Sequence, residues 1–132
     1  MTSKRTQNIC NAINLLIKRI YEIDKIIPID YYIMMDFDDV CSKPIKCDAL
    51  INAFKNKDKW VSITFNNETY YDFWALSFDH YIYSCWHFNE PKSMIKFMRD
   101  DLLQKFNENK YIECVSSFNG FCIYNLKKYE NI

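Results

Sequence analysis

The sequence predicts an α/β fold in which a largely parallel or mixed sheet is flanked by helices. Apolar runs of strand length alternate along the chain with segments of helical periodicity, which is the order of elements that such sheets require. Hydrophobic residues make up 49% of the 132 residues, enough for a sizeable core. No repeat, low-complexity tract or linker-like segment interrupts this pattern, so residues 1–132 are predicted to form a single domain.

Three segments have the spacing of amphipathic helices. Apolar residues recur at helical intervals over about 4–25, about 46–56 and about 91–107. Pro28 separates the first helix from the strand after it, and Pro91 suits the first turn of the third helix. We expect the first helix to pack its apolar side against the sheet.

Four further segments are predicted to be strands. The continuous apolar run at 31–35 is typical of a strand that is covered on both faces, so we expect it at the centre of the sheet. In the segment 60–65, apolar and polar residues alternate as they do in a half-buried strand. Two short segments at about 111–115 and about 121–124 complete the set, and the aromatic-rich segment from about 70 to 88 is predicted to mix strand and loop.

Composition excludes several classes of function. Seventeen basic residues balance seventeen acidic ones, so there is no general attraction to nucleic acid or to anionic lipid. Gly120 is the only glycine, which excludes a phosphate-binding glycine-rich loop. No apolar run reaches the length of a membrane span, and the six cysteines contain no CxxC pair. These features predict a cytoplasmic protein without a nucleic-acid partner or a membrane span.

Three carboxylates, Asp36, Asp38 and Asp39, follow the predicted strand at 31–35. Carboxylates this close repel one another unless a cation or a basic group neutralises them. Alternation along an extended chain puts Asp36 and Asp38 on one side, where both can approach a single ion, and Mg²⁺ and Mn²⁺ prefer such oxygen ligands. The pattern favours a metal site, and an acidic turn that caps the next segment is the alternative.

Other reactive residues give weaker patterns. The two histidines, His80 and His87, lie near Cys85, but no pair among them has the spacing of zinc ligands. No signature of a nucleophilic serine or cysteine is present either. The acidic cluster is therefore the main candidate site.

Four strings, in order along the chain, resemble those of glycosyltransferases of the GT-A type. They cover nearly the whole chain, and their order is more specific than any one of them. They are RTQNI at 5–9 with Asn14 on the first helix, DYYIMMDFDDV at 30–40 with the DxD pattern, YYDFWAL at 70–76, and VSSFNGFCIY at 115–124.

The resemblance implies a partial GT-A-like, Rossmann-like domain with a mixed, mostly parallel sheet. It would be the catalytic-core portion of such an enzyme and would lack the N-terminal nucleotide-binding half, so a separately encoded N-terminal half is one expected partner. The implied activity is metal-dependent transfer of a sugar from a nucleotide-sugar donor to a glycan or protein acceptor. Asp36, Asp38 and Asp39 would hold Mn²⁺ or Mg²⁺ at the donor diphosphate.

The same resemblance implies the remaining site residues. Asp72 would be the catalytic carboxylate, and Trp74 would offer a flat apolar ring to a sugar. A turn beside the acidic cluster would contact the substrate, and we expect it close to Asp36, Asp38 and Asp72; it consists of Ser117, Phe118, Asn119 and Gly120. The alternatives are a carboxylate hydrogen-bonded at a strand end, a tryptophan in the core and an ordinary hairpin turn.

Two positions depart from the family's strings. Ile13 stands where the helix string has arginine, and Asn119 replaces the first glycine of the F-G-G string. These departures support a second hypothesis, in which the chain is a non-catalytic interaction module or a decayed remnant that keeps the fold. A metal-dependent phosphoryl-transfer enzyme that uses Asp36 and Asp38 is a third.

Overall fold

The computed structural model describes residues 4–37, 44–66, 70–77, 91–108 and 111–129. In chain order, its elements are α1 (Lys4–Asp24), β1 (Tyr31–Met35), α2 (Cys47–Lys55), a 3₁₀ turn (Lys57–Lys59), β2 (Ser62–Thr64), α3 (Pro91–Glu108), β3 (Phe121–Asn125) and the single-turn helix α4 (Leu126–Tyr129). The three predicted helices and the strands predicted at 31–35, 60–65 and 121–124 are confirmed, with small shifts at their ends. The strand predicted at 111–115 is wrong, because this part of the chain forms only an isolated bridge between Ser116 and Ser77.

The described strands form an antiparallel sheet in the order β1-β3-β2. β3 lies between the other two and runs antiparallel to both, so that Ile33 and Ile63 both stand opposite Ile123. The prediction of a mixed, mostly parallel, Rossmann-like sheet is therefore wrong. The structure is a small α/β protein in which none of the described strands has a parallel neighbour.

The position of β1 explains why its pattern was misleading. Among the described strands β1 lies at an edge, not at the centre. Tyr32 is buried, but Ile33 and Met35 are 56% and 50% exposed. One face of β1 is therefore open, although its residues are as apolar as those of a strand covered on both sides.

The other face of the sheet carries two stacked phenol rings. Tyr32 and Tyr124 stand opposite each other in the register of β1 and β3. Their ring centroids are 4.9 Å apart and the rings are nearly parallel, with 7° between their planes. Burial raises the pKa of Tyr32 to about 12, and burial likewise raises the pKa of Tyr124. The pair thus joins β1 and β3 on the face of the sheet where Tyr32 is buried.

One end of the sheet is closed by α2 and the 3₁₀ turn. The ring of Tyr31 packs edge-on against Phe54, with 5.2 Å between centroids, and lies 5.8 Å from the ring of Trp60. The indole N–H of Trp60 donates to the carbonyl of Ala53, 2.9 Å away. Aromatic packing therefore fixes α2 to the start of β1.

A separate core lies beneath α3. Met98 and Leu102 of α3 are buried against Phe73 and Leu76 of the segment 70–77. The half-buried side chains of Ile95, Phe106, Ile112 and Cys114 complete this cluster. One side of α3 therefore faces this core, and the segment 70–77 is anchored to the helix by its apolar residues.

The long helix α1 is not packed as predicted. All of its residues are described, and none of them is buried. Asp24 at its end accepts a hydrogen bond from the backbone N–H of Ile29, 2.5 Å away, which shapes the turn into β1. No helix in the described ranges is long and apolar enough to cross a membrane.

Candidate functional site

Antiparallel pairing places the end of β1 beside the start of β3. The N–H of Asp36 donates to the carbonyl of Gly120, 2.9 Å away, and so extends the ladder by one residue. Asp36 is therefore adjacent to the turn 117–120. Gly120 has a φ of 78°, which confirms that this backbone position favours glycine.

Asn119, which replaces a glycine of the family string, connects three segments. Its side chain is 7% exposed. The Oδ1 atom accepts a hydrogen bond from the N–H of Tyr71 at 2.9 Å, and the Nδ2 atom donates to the carbonyl of Phe65 at 3.2 Å. The turn is thereby fixed both to the segment 70–77 and to the residue that follows β2.

Tyr70 makes a second connection between the same segments. Its hydroxyl donates to the carbonyl of Phe118 at 2.9 Å and accepts from the N–H of Phe118 at 3.2 Å. Burial raises the pKa of Tyr70, so the hydroxyl keeps its proton and remains a donor. Because both backbone groups of Phe118 are bound by one side chain, the turn is held in a single arrangement.

Tyr71 connects this junction to the acidic cluster. Its hydroxyl donates to Oδ2 of Asp36, 2.9 Å away, while its backbone N–H is bound to Asn119. Tyr71 is 41% exposed and Asp36 is half-buried, so the pair lies at the surface. The carboxylate of Asp36 therefore has a fixed partner on the side that faces the segment 70–77.

Asp72 is half-buried next to this pair. Its Oδ1 accepts a hydrogen bond from the N–H of Ala75, 3.2 Å away. Burial raises the pKa of the Asp72 carboxyl, hydrogen bonds from the Ala75 and Trp74 amides oppose that rise, and the negative charge of Asp36 adds to it. Asp36 and Asp72 are thus near enough to repel each other. Asp72 is hydrogen-bonded, as its alternative role requires, but it does not lie at the end of a described strand.

The remaining predicted residues differ in exposure and in what they contact. Trp74 is 37% exposed and is not a core residue, so its ring is accessible from solvent. Phe118 and Ser117 are half-buried. The hydroxyl of Ser117 hydrogen-bonds the thiol of Cys114, which partly offsets the rise in the pKa of Cys114 that burial causes. Ser117 therefore interacts with the core beneath α3.

Two predicted metal ligands, Asp38 and Asp39, lie outside the described residues, as do His80, Cys85 and His87. Within the part of the chain that is described, no three His, Cys, Asp or Glu side chains form a group that could hold a metal ion. The metal set Asp36, Asp38 and Asp39 stays a prediction, and so does the expected proximity of Asp38 to Asp72.

Comparison with known proteins identifies no relative: no family model, curated protein or solved structure matches the chain. The resemblance to GT-A glycosyltransferases therefore depends on the four sequence strings alone. The structure gives the arrangement of the candidate residues, and the ligand that they bind is the subject of the proposal below.

Sequence reasoning missed Tyr70 and Tyr71 as residues that hold the site together, and it expected Asn119 to contact the substrate rather than to brace the turn. The Tyr70 hydroxyl and the Asn119 carboxamide bind the turn 117–120 to the segment 70–77 and to Phe65, and the Tyr71 hydroxyl binds Asp36. A signal was present, since two consecutive tyrosines precede Asp72, and adjacent residues of an extended chain point to opposite sides. Such a pair can bind two different neighbours, as it does here.

Proposed function

We propose that the chain is a metal-dependent, glycosyltransferase-like protein that transfers a sugar from a nucleotide-sugar donor to a glycan or protein acceptor. The hydrogen-bonded junction of three segments supports this proposal: Asp36 after β1, Tyr70 to Asp72, and the turn before β3. The parallel-strand edge on which this site was expected is absent from the described sheet. Antiparallel pairing of β1 with β3 brings the same segments together instead.

The described carboxylates suit a hard divalent cation. Asp36 and Asp72 repel each other, and an ion bound at Asp36 would weaken that repulsion while leaving Asp72 outside the metal shell. The bond from Tyr71 to Asp36 is the kind of outer interaction that orients a metal ligand. Mg²⁺ and Mn²⁺ are commonly held by one or two carboxylates together with substrate phosphates. Asp38, Asp39 and a donor diphosphate would complete the shell.

Each described residue has a role in this proposal. A bound Mn²⁺ or Mg²⁺ would neutralise charge on the leaving diphosphate. Asp72 would accept the proton of the acceptor hydroxyl, since a carboxylate with a raised pKa is the stronger base. Trp74 would present its exposed ring to the sugar. Tyr70 and Asn119 would keep the turn 117–120 in place without touching the reacting atoms.

Calorimetry with Mn²⁺ and UDP or GDP tests the proposal. We expect the wild-type protein to bind one of these nucleotides only when Mn²⁺ is present, and Asp36→Asn to weaken the binding at least about tenfold. Asp100→Asn is the matched control, because Asp100 is exposed on α3. Binding that is absent in the wild type, or equal in Asp36→Asn, would contradict the proposal.

The alternative function is a non-catalytic interaction module, and the exposure of α1 favours it. Ile9, Leu16 and Ile23 leave a large part of their apolar surface in solvent. Such a module would bind a partner through α1 whether or not the carboxylates are intact. A protein that binds no nucleotide with Mn²⁺ but still associates through α1 would support this function over the first.

A further inference from the structure

The apolar residues of α1 follow the spacing of a coiled-coil seam. They alternate in steps of four and three residues, and they are Ile9, Ile13, Leu16, Ile20 and Ile23. This is a repeat of 3.5 residues, which is the period at which two helices keep one stripe facing each other. With its 21 residues, α1 has room for three heptads.

Three of the five residues of this stripe are exposed in the structure, and Ile13 and Ile20 are half-buried. Ile9, Leu16 and Ile23, seven residues apart, are 49%, 56% and 36% exposed. A helix of this kind gains most of its stability from packing of its apolar face. The charges of its end turns do not favour the helix dipole, since the first turn has no acidic residue and the last turn no basic one. A partner along the stripe would supply the missing packing.

The residues beside the stripe indicate which partner fits. With Ile9, Leu16 and Ile23 at the d positions, the flanking g positions hold Arg5, Ala12 and Arg19, and the e positions hold Cys10, Ile17 and Asp24. In a parallel pair, each g residue meets the e residue five positions further along the other helix. A second copy of α1 would therefore place Arg19 against Asp24 and Ala12 against Ile17, and no like charges would meet.

Other arrangements match less well. In an antiparallel pair, g residues face g residues, and the g positions of α1 contain no acidic side chain that Arg19 could meet. In the single chain, Arg19 pairs with Glu22 at 2.8 Å. Both side chains are well exposed there, and such surface pairs contribute little, so replacing this pair by one across the seam costs little.

We propose that α1 is a dimerisation helix, through which two copies of the chain associate as a short, parallel, two-stranded coiled coil. Its core is the stripe from Ile9 to Ile23, and Arg19 of each copy pairs with Asp24 of the other. Because the two helices are identical and parallel, the dimer has a two-fold axis along the seam. This inference does not depend on the proposed transferase function.

Light scattering during gel filtration at increasing protein concentration tests the association. We expect the mass to rise towards twice the monomer mass of 16.0 kDa. Leu16→Lys should remain monomeric over the same range, with at least a tenfold weaker association. Leu15→Lys is the matched control, because Leu15 is 72% exposed but lies outside the stripe, and its mass should follow that of the wild type.

A mixing experiment tests the orientation. Arg19→Glu alone and Asp24→Lys alone each place like charges across a parallel seam, so each should dimerise more weakly than the wild type. An equimolar mixture of the two variants should form heterodimers, since both cross-seam pairs then have opposite charges. Circular dichroism checks that both variants keep their helix content.

Four outcomes would overturn the inference. A wild-type protein that stays monomeric at all concentrations excludes the dimer. If Leu16→Lys and Leu15→Lys lose association equally, the stripe is not the seam. If the charge variants form dimers without preference for the mixed pair, the proposed parallel pairing of Arg19 with Asp24 is excluded. A monomer that instead sediments with vesicles of anionic lipid would show that α1 binds a membrane surface.

Discussion

Asn119 has a structural role at a position where the similar string of GT-A glycosyltransferases has glycine. Its carboxamide satisfies the N–H of Tyr71 and the carbonyl of Phe65, two groups that are both far from Asn119 in sequence. Both bonds lie in a poorly hydrated environment, because Asn119 itself is buried. The departure from the family string therefore does not leave a defect in the turn, which is braced by the side chain that replaced the glycine.

Removal of this carboxamide should destabilise the fold. We expect Asn119→Ala to lower the free energy of unfolding by about 1–3 kcal/mol, because a backbone donor and a backbone acceptor lose their partner. Urea denaturation measures the change. Asn8→Ala on the exposed side of α1 is the control and should stay within about 0.5 kcal/mol of the wild type. If the two variants are equally stable, Asn119 does not brace the turn.

Asp72 should make stability depend on pH. Its pKa is raised in the folded protein, so the associated stability is present below the ordinary value of 3.8 and is lost as the pH rises through the raised value. Asp72→Asn stays neutral and can still accept the bond from Ala75. We therefore expect this variant to be more stable than the wild type at about pH 7 and to lose that advantage at about pH 3.

Urea denaturation across that pH range measures the effect. Asp100→Asn, on the exposed surface of α3, controls for the loss of one negative charge. If Asp72→Asn is less stable than the wild type at neutral pH, the folded protein stabilises the charged carboxylate. The pKa of Asp72 would then be lowered rather than raised.

At the scale of elements, the helices could be predicted closely and the sheet could not. The helical spacing of α3 is a local property, and Met98 and Leu102 are buried as the spacing indicated. Strand direction, in contrast, depends on how the connections run, and short apolar strings do not encode that. β1 adds a second difficulty, since Ile33 and Met35 are apolar although they are exposed.

The candidate site was anticipated only in part. The proximity of Asp36 to the turn 117–120 was expected from the resemblance, and it arises from antiparallel rather than parallel pairing. The bonds made by Tyr71 and Asn119 were not foreseen, because they depend on side-chain direction at positions far apart in sequence. Local patterns identify which residues are reactive, and tertiary structure decides what they touch.

The anchoring of the segment 70–77 by α3 should be measurable. Phe73 is 3% exposed within the core beneath α3, so we expect Phe73→Ala to cost about 3–5 kcal/mol of unfolding free energy. Phe97→Ala provides a matched control on α3, because Phe97 is 53% exposed and its truncation removes much less buried surface. Equal losses in thermal or urea denaturation would mean that the segment is not anchored through Phe73.

At the scale of the molecule, the central position of β3 organises the described sheet. Cys122, Ile123 and Tyr124 each lie between two partner strands. β1 is paired on one side only among the described strands, and every second amide of an edge strand points away from its neighbour. The strand with hydrogen-bonded neighbours on both sides is therefore the one nearest the C-terminal end of the described chain.

Amide hydrogen exchange tests this arrangement. We expect the amides of β3 to exchange slowly without exception, and those of β1 to alternate between slow and fast. Uniform protection along β1 would contradict its position at an edge and would indicate a further strand beside it. The experiment thus distinguishes the observed strand order from the central β1 that the apolar run suggested.

The stacked phenols of Tyr32 and Tyr124 set an upper limit to the pH range in which the folded protein is stable. To lose its proton in the folded protein, Tyr32 has to become an anion in a buried position, and burial raises its pKa to about 12 from an ordinary value of 10.0. The stability linked to this proton is fully present below the ordinary value and disappears as the pH rises through the raised one. Strong base should therefore destabilise the pairing of β1 with β3. The ultraviolet absorbance of tyrosinate should rise at the same pH at which the sheet is lost.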